Sequence, residues 1–117
     1  METGLQDPDA TPLLDRVYLA QQTFDDAALA RELLDLFAGQ CRRLLPGIVD
    51  RSLADPERAD LAHTLKGSAL GIGALRIARL SAAIEDALRA GAAPGEGAEE
   101  ALTEAVAATL AVVSPAS

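Results

Sequence analysis

Apolar residues in this chain recur every three to four positions, and the runs stop at proline and glycine. That spacing matches the 3.6-residue helical turn and not the two-residue alternation of a half-buried strand. One series is Leu29, Leu33, Phe37, Leu44 and Ile48, widened by Leu36, Cys41, Leu45 and Val49. A second is Ile77, Leu80, Ser81, Ile84 and Leu88, and a third is Leu102, Val106 and Leu110. Composition agrees: Ala and Leu dominate, while the aromatics amount to two Phe and one Tyr. Ala and Leu lose little conformational entropy in a helix.

The breaks set the expected boundaries. Residues 1–10 are polar and aperiodic and read as a mobile arm. Thr11-Pro12 reads as a cap with proline at the first helical position, opening a short helix through Leu13, Leu14, Val17 and Leu19 to about Gln22. Tyr18 and Phe24 are its expected packing residues. Asp25 or Asp26 caps the second helix. Pro46 is expected to kink it, with the apolar pattern resuming as far as Leu53. Asp55-Pro56 repeats the cap-plus-proline start, with Glu57 in the favourable first turn. The third helix is expected to run through Leu70 and to break at Gly71 and Gly73. A fourth then spans about Ala74 to Ala90, the stretch GAAPGEG is a loop, and a last helix covers about Ala98 to Val112. Residues 114–117 read as a frayed tail. The expected fold is all-α: an antiparallel up-and-down four-helix bundle over residues 11–113, with a short extra N-terminal helix.

Charge narrows the partners. The formal net charge is −8, and the chain has a single lysine, Lys66. Nucleic acid is a poor partner for such a surface, and so is an anionic membrane. Cys41 is the only cysteine, so no internal disulfide can form, and it reads as a small buried hydrophobe. No signal peptide and no membrane span are seen, and a cytoplasmic location is expected.

On a helical wheel at about 100° per residue, Leu61, Leu65, Ser68 and Ile72 share one side of the third helix, the expected core side. His63, Lys66, Gly67 and Leu70 share the other. The only histidine therefore projects outward from mid-helix, one turn from a lysine and a glycine. A neutral imidazole is a competent nucleophile near neutral pH, and a nearby ammonium can stabilise a phosphoryl group held on it. Gly67 weakens the helix by about 1 kcal/mol relative to Ala and leaves a bare patch beside the imidazole. The bland alternative is a surface His beside a Lys, with Gly67 serving close helix packing.

The run Leu61 to Glu85, LAHTLKGSALGIGALRIARLSAAIE, resembles the histidine-phosphotransfer (HPt) domain family. Its Ala62-His63-Thr64-Leu65-Lys66-Gly67-Ser68-Ala69 core, the Gly73-Ala74 turn, and Leu80 with Glu85 on the next helix carry the likeness. Leu33-Leu34-Asp35-Leu36-Phe37 looks like the family's second helix. The resemblance implies that His63 is phosphoryl acceptor and donor, that Lys66 stabilises the phosphoryl group, and that Gly67 keeps the approach open. It places Glu85 where a polar residue orients the imidazole, although a boundary glutamate solvated at its tip fits the wheel as well. Leu70, Thr64 and Asp60 are the candidate partner contacts.

The implied reaction is reversible phosphoryl transfer with a phosphoaspartate of a receiver domain, on a response regulator or a hybrid histidine kinase. The chain shows no nucleotide-binding loop, so it is expected to act as carrier and not as an ATP-dependent kinase. It needs no cofactor of its own in this reading, since Mg²⁺ belongs to the partner's acidic pocket, and a stand-alone, monomeric relay is expected. Three alternatives stand beside it: a bundle that binds and sequesters a receiver or kinase without being phosphorylated; a metal bundle using Asp60-x-x-His63, which lacks the second histidine such sites need; and a purely structural helical protein.

Overall fold

The computed structural model describes residues 11–113, so the expected arm and frayed tail lie outside the described residues. Five helices follow in order: α1 (Arg16–Gln22), α2 (Ala27–Ile48), α3 (Asp55–Ile72), α4 (Leu75–Arg89) and α5 (Ala98–Val113). The fold is the expected all-helical bundle, with α2 to α5 as its four long members. α3 and α4 pack most intimately, and α5 closes the bundle against α4 and α2.

The start of the chain differs from expectation. α1 begins at Arg16, capped by Asp15, whose side chain accepts from Tyr18 N at 3.0 Å. Residues 11–14 are instead a strap across the α3–α4 turn. Asp15 N donates to Gly73 O at 2.8 Å, and Pro12 O accepts from Arg76 N at 3.1 Å. Arg76 Nε and Arg79 Nε donate to Thr11 O and Thr11 Oγ1. The physical reason is that α4 has no side-chain cap of its own. The first amides of a helix need acceptors, and Pro12 supplies one from outside. Tyr18 packs half-buried over Gly73, but Phe24 does not pack: it sits at φ +56°, 87% exposed, in the turn between α1 and α2. Val17 and Leu36 are exposed as well.

Of the two candidate caps for α2, Asp26 is used, accepting from Leu29 N. The helix does not continue to Leu53. It ends at Ile48, with Pro46 in its last turn. Proline lacks the amide that would pair with the carbonyl one turn back, and the helix survives only to the end of that turn. Arg58 Nε then takes up the free Ile48 carbonyl at 2.9 Å. A side chain at Gly47 would run into Leu61, so this glycine permits the close approach of α2 to α3.

α3 starts one residue earlier than expected, with Ala54 as cap and Asp55 and Glu57 both in the first turn. Gly71 does not break it. The helix passes through Gly71 to Ile72 and stops at Gly73 alone, whose φ of +83° an L side chain resists. Its core stripe is also rotated from the expected one. Ala59, Ala62, Leu65, Ala69 and Ile72 are buried, whereas Leu61 and Ser68 are half-buried. α3 lies between α2 and α4, and small alanines let both neighbours come close. Hydrophobicity alone favoured the larger Leu61.

Arg58 occupies the same buried stripe. Its Nη2 donates to Glu99 Oε2 at 2.7 Å, and exposed Arg51 donates to Glu99 Oε1 at 2.7 Å. The cluster joins the start of α3 to the start of α5. Hydrogen bonds from Arg51 hold the Glu99 carboxyl below its ordinary range; burial opposes this, and Arg58 reinforces it. A carboxyl lowered in the folded state contributes stability above its unfolded value, about 4.3, and loses it as pH falls through the folded value. Thermal unfolding followed by circular dichroism should therefore show this contribution intact at pH 6 and lost only well below pH ~4.

Cys41 is fully buried, and desolvation pushes its thiol up to about 11. It remains a protonated core residue.

Candidate functional site

α3 and α4 are joined through a tight turn at Gly73, so their midpoints lie side by side. His63 projects from the middle of α3 with 62% of its side chain exposed. Glu85, on α4, is buried to 7% exposure and reaches across the helix pair. His63 Nδ1 and Glu85 Oε2 are 3.0 Å apart. Glu85, the residue that the resemblance sets beside the imidazole, thus brings its carboxylate to Nδ1.

Glu85 is surrounded by cations. Lys66 Nζ lies 3.1 Å from Oε1, an ion pair without the alignment of a hydrogen bond. Arg89 Nε donates to Oε2 at 3.1 Å. Burial alone would push the Glu85 carboxyl up, but Lys66 and Arg89 outweigh it and hold it below the ordinary value. Glu85 is then ionised at neutral pH and can only accept. We therefore assign the imidazole proton to Nδ1, donating to Glu85. Nε2 keeps its lone pair on an imidazole that is mostly exposed.

Beyond the imidazole the helix is bare. A Cβ built on Gly67 meets nothing within 4 Å, so the glycine is not there for helix packing. Leu70 is 51% exposed on the same side. Thr64 is exposed, with its hydroxyl donating to Asp60 O within the helix. Asp60 is exposed too, but its carboxylate is engaged by Arg89 Nη2 at 3.1 Å. Among the described residues, no group of three or more His, Cys, Asp or Glu could hold a metal ion.

The Hpt domain family model matches residues 32–112, more than two thirds of the chain. This chain belongs to the Hpt domain family. The match spans α3 and α4 whole, together with most of α2 and all but the last residue of α5. Comparison with curated proteins and with solved structures finds no significant match. As an Hpt domain, the chain has the general role of histidine phosphotransfer in a phosphorelay. Among the described residues no helix is long and apolar enough to cross a membrane.

Two features of this Hpt domain escaped the sequence reading. Arg89 was legible in principle, since Glu85 and Arg89 stand at i and i+4 on one helix. Arg58 left a subtler sign: a charged residue on the Ala62, Leu65, Ala69 stripe requires a buried partner. Nothing local pointed to Glu99, 41 residues away.

Proposed function

We propose that His63 is the phosphoryl-carrying residue and that Nε2 is the reacting atom. The observation that carries this reading is the exposed imidazole whose Nδ1 is tied to the buried Glu85 carboxylate. The Nε2 lone pair attacks the phosphorus of a receiver's phosphoaspartate. The N–P bond forms as the P–O bond to the aspartate breaks, and the aspartate carboxylate leaves with the electron pair. The imidazole becomes a phosphoimidazolium that keeps its Nδ1 proton on Glu85. That carboxylate stabilises the positive charge developing on the ring, as preorganised charge does in other transfers. The step is reversible, so the group can pass to a second receiver.

Lys66 is the ammonium closest to the reacting region. It rests on Glu85 Oε1, and an arriving phosphoryl group competes for it. Gly67 leaves room for the receiver, with Leu70, Thr64 and Asp60 as candidate contacts. Catalysis here is positioning and charge neutralisation, and the Mg²⁺ that the reaction uses belongs to the receiver. The Hpt chain acts as a carrier without kinase activity toward ATP, in the cytoplasm, and as a monomer, because one exposed histidine face suffices.

The test uses labelled ATP with a panel of hybrid kinases and receivers from the same organism. Wild-type protein should acquire acid-labile, alkali-stable label, and His63→Gln should acquire none. Binding to a panel member without any label would instead favour a sequestering bundle.

A further inference from the structure

We propose that Arg89 is the positioning residue that keeps Glu85 on His63, with Asp60 as its anchor. The inference rests on the reading of His63 as the phosphoryl site. Arg89 Nε donates to Glu85 Oε2, the same oxygen that receives His63 Nδ1. Its Nη2 donates to Asp60 Oδ1, three residues before His63 on α3. The guanidinium therefore spans from the last turn of α4 to the turn of α3 that bears the imidazole.

A glutamate carboxylate rotates freely about its last torsion unless something fixes it. Lys66 alone is a poor fixture, because an ammonium is a point charge on a flexible stem, and a phosphoryl group on His63 would draw it away from Oε1. Arg89 is different. Its planar fork is satisfied on both sides, by Glu85 and by Asp60. It can stay on Glu85 while Lys66 changes partner, so the Nδ1 proton keeps its acceptor throughout the transfer.

The test reads the His63 tautomer by long-range ¹H–¹⁵N NMR on the unphosphorylated protein, together with the transfer rate from a phosphorylated receiver. Wild type should show the Nδ1–H form alone. Arg89→Met keeps the aliphatic stem and removes every donor; it should give mixed tautomers and slow transfer about ten-fold, the lower end of what losing the partner behind a metal-ligating histidine costs. Arg89→Lys should recover part of both, since it still reaches Glu85. Asp60→Asn, at an exposed position, should act in the same direction with smaller size, and it carries the test if Arg89→Met does not fold. An unchanged tautomer in Arg89→Met overturns the proposal, as does a mixed tautomer with an unchanged rate. A wild-type chain that never takes label sinks the relay reading alone; the tautomer then decides the role of Arg89 by itself.

Discussion

Gly67→Gln should slow transfer from a receiver about ten-fold or more while making the fold slightly more stable. The two effects have separate causes. Gly67 lies inside α3 with ordinary helical geometry and open space where a Cβ would stand. Glutamine there gains roughly 0.5 kcal/mol of helix propensity over glycine. The same side chain projects beside the imidazole, where the receiver must approach. Overpacking a close contact costs about 1–3 kcal/mol, and each 1.4 kcal/mol is about a factor of ten. A small phosphoramidate donor needs no such approach and should label Gly67→Gln as readily as wild type. Equal transfer from the receiver would show that the glycine serves neither packing nor access.

Glu99→Ala should cost about 3–5 kcal/mol of stability, read as a lowered urea midpoint. The loss comes from what remains behind. Arg58 is buried, cannot give up its charge, and would keep only the Ile48 carbonyl. Glu99→Gln retains an acceptor and should cost less. Arg51→Ala should cost little, because the Arg51 side chain is 77% exposed and pairs from the rim. A Glu99→Ala midpoint equal to wild type would mean that the cluster holds neither α3 nor α5.

The helical class and the outward face of His63 are legible in the chain because both depend on local periodicity, whereas Glu85 is singled out only through the family resemblance. Residues 63, 67 and 70 fall on one side of any regular helix, and the bundle leaves that side open. What local pattern does not carry is which neighbour a helix meets. The rotated α3 stripe depends on α2 and α4 both pressing on Ala59, Ala62 and Ala69. Pro46 ends α2 early, and the carbonyl that Ile48 leaves free is taken by Arg58, 10 residues on, which no local pattern announces. The strap at Thr11 and Pro12 reads as a helix start, because cap and proline are the right residues for one; their carbonyls instead serve α4, about 65 residues on. Phe24 shows that an aromatic beside a helix need not pack. Arg89 stood in plain view at i+4 from Glu85, yet its role shows only once Asp60 is seen on its other side.

The most direct test is to locate the phosphoryl group after transfer from a phosphorylated receiver, by ³¹P–¹⁵N NMR on ¹⁵N-histidine protein. A single N–P bond at His63 Nε2 is expected, with the proton on Nδ1 still donated to Glu85. A phosphoryl group on Nδ1, or on any residue other than His63, would contradict it.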